Sequence, residues 1–447
     1  MNTLKIHNAL VWGIVSILFL ITSVSSAQDM ESKVSSLEQK TVIDSVSSLL
    51  EANYVFPEVA KKMSESLQEK LKKGKYKSVT DPQEFASTLT TDLQAISNDK
   101  HLRVSFAPQR IADQQQTVTP EDSIAFRERY INNMKRTNFG FKEVKILSGN
   151  IGYLDLRSFS DVAYGGETAV AAMNFLSNTD AMIIDLRNNG GGSPAMIQLI
   201  SSYLFGPEPV HLNNFYWRAN DSNTQTWTLP HVYGQRSEDT PVYVLTSGST
   251  FSAAEEFSYN LKNMERATLV GETTGGGAHP GGSRIATDRF MIWLPMGRAI
   301  NPITNTNWEG TGVSPHVPTT AQEAFDTAYI KALEMLLEKT EDEGMKAIYE
   351  WPLAKIKLKN TPVELPSSAL KSFAGTYGPR KVTFENNKLY YQRGTGTKYE
   401  LYPYSQNEFM LNGLDTFRIR FVSENGKVAA LQGLYDNGHT DRNQRDN

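Results

Sequence analysis

Residues 181–204 read AMIIDLRNNGGGSPAMIQLISSYL. Ala181–Leu186 is a short, nearly continuous apolar run, the pattern of a strand buried on both faces. Pro194 suits the first position of a helix, and the apolar residues up to Leu204 continue it. Between them, Asn188–Gly192 must turn the chain sharply. The same alternation recurs on either side. Ile151–Leu156, Pro241–Leu245, Ala267–Val270 and Phe290–Leu294 read as strands. Gly166–Leu176, Ser252–Lys262 and Ala321–Glu338 read as helices. Strand–helix alternation predicts an α/β core with right-handed crossovers.

The flanks have other textures. Residues 31–98 are helical in pattern, with Leu37, Ile43, Val46, Leu49 and Leu50 recurring on one face. Asn53–Pro57 interrupts this, because a residue before proline avoids the α region. A second helix runs over Pro57–Lys73, and a third starts at Asp81-Pro82 with Asp81 as cap. Residues 107–140 show no clear period. Residues 339–365 read as a charged, proline-bearing connector, 366–440 as a small module of short strands, and the last residues, TDRNQRDN, as a frayed end.

The N-terminus has a different purpose. An apolar run from Ala9 to Ile21 follows Lys5 and His7, and small residues precede a plausible cut before Gln28. This is the layout of a secretory leader, shorter than the ~20 residues of a spanning helix. The expected product is extracytoplasmic, periplasmic or secreted, with no membrane span after cleavage. The chain has 447 residues, 39% of them hydrophobic, and a net charge of −4, which gives no support to nucleic-acid binding. It has no cysteine, which excludes disulfides and thiolate chemistry. No two of its seven histidines have metal-ligand spacing, so neither a metal nor a cofactor is expected.

Two turns could carry chemistry. The glycines of Asn188–Gly192 allow backbone N–H groups to face an anion or oxyanion, or simply make a tight turn. Ser252 begins a helix with Glu255 three residues on. That spacing is a capping box, and a helix start is equally a place to hold a nucleophile. A serine nucleophile needs a base and a group to orient the base. His101, His279 and His316 are the candidate bases, and Glu309, in NWEGTG, is a candidate orienting acid.

Taken in order, IGYLDLRSF, AMIIDLRNNGGG, VYVLTSGSTFSAAEEF, ATLVGETTGGGAHP and WEGTGVSPHV resemble the tail-specific (C-terminal processing) serine peptidases, family S41. The helical segment before them resembles the interphotoreceptor retinoid-binding protein and tricorn-like branch. The resemblance implies a multidomain α/β (α+β) chain: a signal peptide at 1–27, an N-terminal helical domain at 28–106, a crotonase-like (ClpP/crotonase) α/β peptidase core at 107–340 and a small C-terminal all-β module at 366–440. It implies Ser252 as nucleophile, His101 as base and Glu309 as the group orienting His101. Gly191 and Ala253 would donate to an oxyanion, with Gly192 shaping the hole. One departure stands out. The better-known branch uses a serine–lysine dyad, and here Gly277 falls where the lysine would be. No room exists for an inserted PDZ domain between 106 and 145. The implied partner is a peptide or protein substrate. The alternative is a non-catalytic protein that binds hydrophobic ligands on the same scaffold.

Overall fold

The computed structural model describes residues 33–115 and 120–446; the leader expected at 1–27 lies outside the described residues. Three helices come first: α1 (Ser36–Asn53), α2 (Pro57–Lys72) and α3 (Pro82–Ser97). Local chemistry sets each start. Ser35 Oγ accepts the Glu38 N–H at 3.1 Å, Pro57 opens α2, and the Asp81 carboxylate accepts the Glu84 N–H at 2.8 Å. Asn98 closes α3 in the left-handed region, with φ 55°.

The chain then enters β1 (Arg103–Phe106), α4 (Pro108–Gln115) and α5 (Pro120–Arg136). The two helices lie where the sequence showed no period. In α4 only Ile111 is buried, so a solvated helix leaves almost no apolar pattern to read.

The core follows as β2 (Phe141–Leu147), β3 (Ile151–Leu156), α6 (Val162–Leu176), β4 (Ala181–Asp185), α7 (Pro194–Leu204), β5 (His211–Trp217), β6 (Ser222–Trp227), β7 (Val242–Thr246), α8 (Ala253–Asn263) and β8 (Ala267–Gly271). After it come β9 (Gly281–Ile285), β10 (Phe290–Pro295), β11 (Gly297–Ile300), β12 (Val317–Pro318), α9 (Ala324–Lys339) and α10 (Glu343–Asn360). The central sheet has the order β12-β8-β7-β4-β3-β2, and all neighbours are parallel except β2 and β3. Residues of α6, α7 and α8 share one core with the sheet, and those of α9 and α10 share another.

α10 corrects the expectation of a connector. Pro352 sits inside it, but Tyr349, Leu353 and Ile356 are buried in the second core. That burial outweighs the helix-interior cost of proline, about 3 kcal/mol.

β4 and β7 are neighbours, with Asp185 opposite Leu245. Their carboxyl ends therefore bring the turns at 188–192 and 247–252 side by side, where parallel sheets commonly bind ligands. A second sheet, β1-β10-β9, is antiparallel and sets Arg103 opposite Trp293. Its residues Val104, Phe290, Ile292 and Leu294 share a core with α1–α3. The N-terminal helices are thus packed directly on a strand of the later chain. A third sheet has the order β11-β5-β6.

The C-terminal part is α11 (Ser367–Phe373) against an eight-stranded antiparallel sheet: β13 (Gly375–Tyr377), β14 (Arg380–Glu385), β15 (Lys388–Arg393), β16 (Tyr399–Pro403), β17 (Glu408–Leu411), β18 (Leu414–Glu424), β19 (Lys427–Tyr435) and β20 (Thr440–Gln444). The tail expected to fray is β20, which pairs with β19 from Thr440–Leu434 to Gln444–Ala430. It is a polar edge strand and carries no hydrophobic signal. The whole is a mixed α/β, multidomain chain. Among the described residues no helix is long and apolar enough to cross a membrane.

Phe85 of α3 is fully buried and meets Phe290 edge-on at 5.8 Å. Phe85→Ala is expected to lower stability by about 3–5 kcal/mol. Urea unfolding of the two proteins checks this; a loss under 1 kcal/mol would show that the helices are not seated on β10.

Candidate active site

Ser252 sits at the junction of β7 and α8, with φ 56° and ψ −121°. Such a conformation is strained for a residue with a Cβ and persists only where the surroundings enforce it. Glu255 is one enforcer. Its Oε2 accepts the N–H of Ser252 at 2.9 Å and of Gly277 at 2.8 Å. Its Oε1 accepts the Thr274 hydroxyl at 2.5 Å and the Gly276 N–H at 2.6 Å. The carboxylate is fully buried; burial raises its pKa, and the four donors oppose that rise. The Glu255 N–H meets the Ser252 carbonyl at 2.9 Å and also faces the Ser252 side chain, so Ser252 and Glu255 form a capping box at the start of α8.

The glycine turn closes in from β4. Asn189 is fully buried, and its Nδ2 donates to Leu156 O at 2.9 Å. Its Oδ1 accepts the Gly191 N–H at 2.8 Å, which corrects the expectation for that donor. The Gly191 N–H is held by a side chain of its own turn. Among the described residues the N–H groups of Gly192 and Ala253 have no acceptor. Both residues line the same cleft as Ser252. Gly192, with φ 143°, also packs so closely that a Cβ would lie 2.1 Å from Phe159 O.

That cleft has a volume of about 460 Å³ and is walled by Phe215, Trp217, Trp293 and Trp308. His101 lines the neighbouring pocket, which shares Trp293 with this cleft. Its ring stacks on Trp293 at 4.9 Å and lies 4.6 Å from that of Phe251, the neighbour of Ser252. Burial pushes the imidazole down to about 4; the Asp99 charge opposes this and His279 adds to it. Its Nδ1 is buried without a hydrogen-bond partner. His101 and Ser252 are not hydrogen-bonded to each other in the free protein, which is common for catalytic pairs before substrate arrives.

Gly277 explains the missing lysine. A Cβ there would lie 2.3 Å from Phe251 Cζ and 2.7 Å from His101 Cε1. The histidine and phenylalanine rings occupy the space that any side chain at 277 would need.

Glu309 is not where the sequence reading put it. Its Oε2 accepts the Ala278 N–H at 2.5 Å and lies 3.3 Å from His279 Nδ1. Among the described residues no ion pair within 4 Å joins it to His101. Its Oε1 is buried and unpartnered. Burial, then the nearby Asp99 charge, pushes Glu309 up to about 7. His279 Nδ1 meets Asp99 Oδ2 at 2.7 Å, so Asp99, His279 and Glu309 form one buried cluster. These three could in principle hold a cation, but the histidine nitrogen that would ligate it is already hydrogen-bonded to Asp99. His316 is elsewhere: its Nδ1 accepts the Leu269 N–H at 3.0 Å beside β8. The sequence reading missed Asp99, Asn189 and Trp293. Only Asp99 had a local signal, its spacing of two from His101.

Two family profiles match the chain in succession. Residues 22–138 match the N-terminal domain of peptidase S41 in eukaryotic IRBP, and residues 150–319 match peptidase family S41. The chain carries a peptidase family S41 domain with that family's N-terminal domain before it. A carboxyl-terminal-processing protease of Synechocystis is 35% identical over 130 residues; the match takes in 28% of this chain and 28% of that protein. Among solved structures, a lipoprotein from Streptococcus agalactiae is similar at 14% identity with a TM-score of 0.44, covering 66% of this chain and 96% of that one. The tricorn protease is similar at 14% identity with a TM-score of 0.41, covering 72% of this chain and 37% of that one.

The stacking of His101 on Trp293 offers a direct readout. Difference fluorescence between the wild type and Trp293→Phe, followed against pH, is expected to titrate near pH 4. A midpoint near the unperturbed value of about 6.5 would show that the ring is solvated.

Proposed function

We propose that this S41 chain is a serine peptidase acting on peptide or protein substrates through an acyl-enzyme on Ser252. The observation that carries this is the strained Ser252 itself, φ 56°, lining a cleft that also presents the N–H groups of Gly192 and Ala253. A serine needed only as a cap has no reason to be held in that conformation.

His101 is the base. Its depressed pKa keeps it neutral near pH 7, able to accept the Ser252 proton as Oγ attacks the scissile carbonyl. The resulting oxyanion is met by the N–H groups of Gly192 and Ala253. One such donor contributes roughly 3–4 kcal/mol in comparable sites. Ala253 is also the first residue of α8, so the positive end of the helix dipole adds to its donor. The protonated histidine then passes its proton to the leaving amine, and water repeats the sequence to release the acid. The leader-like residues 1–27 support action outside the cytoplasm, periplasmic or secreted.

Intact-mass analysis and peptide mapping after a fluorophosphonate probe test the assignment. One adduct is expected, on Ser252, and none in Ser252→Ala. The variant is expected to keep the wild-type circular dichroism. Undiminished peptidase activity in Ser252→Ala would end this reading. A folded wild type that takes no adduct would favour the ligand-binding alternative.

A further inference from the structure

We infer that Asp99, rather than Glu309, is the carboxylate that positions His101, and that Tyr54 and His279 hold Asp99 for this role. The inference rests on the reading of Ser252 and His101 as nucleophile and base.

Asp99 follows the end of α3 and is 0% exposed. Its two oxygens are divided between two tasks. Oδ2 accepts the Tyr54 hydroxyl at 3.2 Å and meets His279 Nδ1 at 2.7 Å. Oδ1 accepts the backbone N–H of His101 at 3.0 Å and lies 4.0 Å from its Nδ1. The first pair fixes the carboxylate. The second leaves one oxygen facing the only ring nitrogen of His101 that is buried and unpaired. Among the described residues no other carboxylate lies within 4 Å of that nitrogen. Glu309 is engaged elsewhere, with the Ala278 N–H and His279.

The ring has little freedom to seek another partner. Trp293 and Phe251 flank it, and the backbone of Gly277 closes its Cε1 edge. A shift of about 1 Å would bring Nδ1 to the 2.7–2.9 Å of a charge-assisted hydrogen bond. The proton accounting is closed. His101 begins as the Nδ1–H tautomer. The Ser252 Oγ–H proton moves to Nε2 as the Oγ–C bond forms, and Nδ1–H donates to Asp99 Oδ1. No proton passes to Asp99. When the C–N bond breaks, the Nε2 proton leaves with the amine.

The buried cluster explains how an anion is kept so deep. The His101 N–H and the Tyr54 hydroxyl donate to Asp99, and His279 Nδ1 lies 2.7 Å from its Oδ2. Burial, then the Asp99 charge, shifts Glu309 towards its neutral form, which limits the negative charge beside Asp99.

The test compares Asp99→Asn with Glu309→Gln, reading the second-order rate of inactivation by a fluorophosphonate probe against pH. Asp99→Asn is expected to lose about 100-fold or more, by analogy with loss of the orienting acid in other serine enzymes. Its acid limb should move to lower pH, since the Asp99 charge favours the imidazolium. Glu309→Gln is expected to lose no more than about ten-fold, with its acid limb in place. Equal or greater loss in Glu309→Gln, or an Asp99→Asn rate within a few-fold of wild type, would overturn the inference. Should Asp99→Asn fail to fold, proton NMR of the phosphonylated wild type and Glu309→Gln decides. A low-field Nδ1–H signal of His101 kept in both supports Asp99; its loss in Glu309→Gln overturns it. A wild type that is never labelled on Ser252 refutes the serine reading itself, which separates the two failures.

Discussion

The site depends on one buried carboxylate with four donors. Glu255 ties the Ser252 N–H, at the start of α8, to Thr274, Gly276 and Gly277 in the loop after β8. Without these donors, ionisation in such a place would be costly. With them, the charge staples two loops that the sheet alone would leave apart. The strained serine and the position of Gly277 against His101 both follow from this staple. A residue that reads as half of a capping box thus sets the shape of the whole centre.

Around it the protein uses neutral and charged groups in different ways. His101 is kept uncharged by aromatic walls and burial. Asp99 and Glu309 both lie close to His279 Nδ1, and burial, then the Asp99 charge, raises the pKa of Glu309. A base held neutral by desolvation gains strength only if its charged form finds a partner during the reaction. On the proposed reading that partner is Asp99 Oδ1, which already accepts the His101 backbone N–H and lies 4.0 Å from the ring Nδ1.

Much of the architecture was legible because it rests on local rules. AMIIDL, its glycine turn and the proline that opens the next helix declared the α/β core. Asp81-Pro82 declared α3. Ser252 and the Asn188–Gly192 turn could be singled out because the chemistry of a strand–helix turn is local, whereas Ala253 came only with the family resemblance. What could not be read was set by contacts across the fold. Asn189 captures the Gly191 N–H through a bond that depends on the shape of the turn. Glu309 faces His279, not His101, because the loop at 275–278 is pinned to it through Ala278. Likewise α10 carries a proline that local propensity rejects and tertiary burial tolerates. β20, polar along its length, is ordered by its neighbour's hydrogen bonds.

The pairing of β1 with β10 has a consequence for how the protein is made. His101 leads into β1, but the tryptophan that it stacks on is in β10, far along the chain. The serine lies between them in sequence. As the polypeptide emerges, it therefore presents the hydroxyl long before the wall that seats the imidazole exists. The wall of the centre is completed by β10, the strand that also buries the N-terminal helices, and so waits for a segment made after the serine.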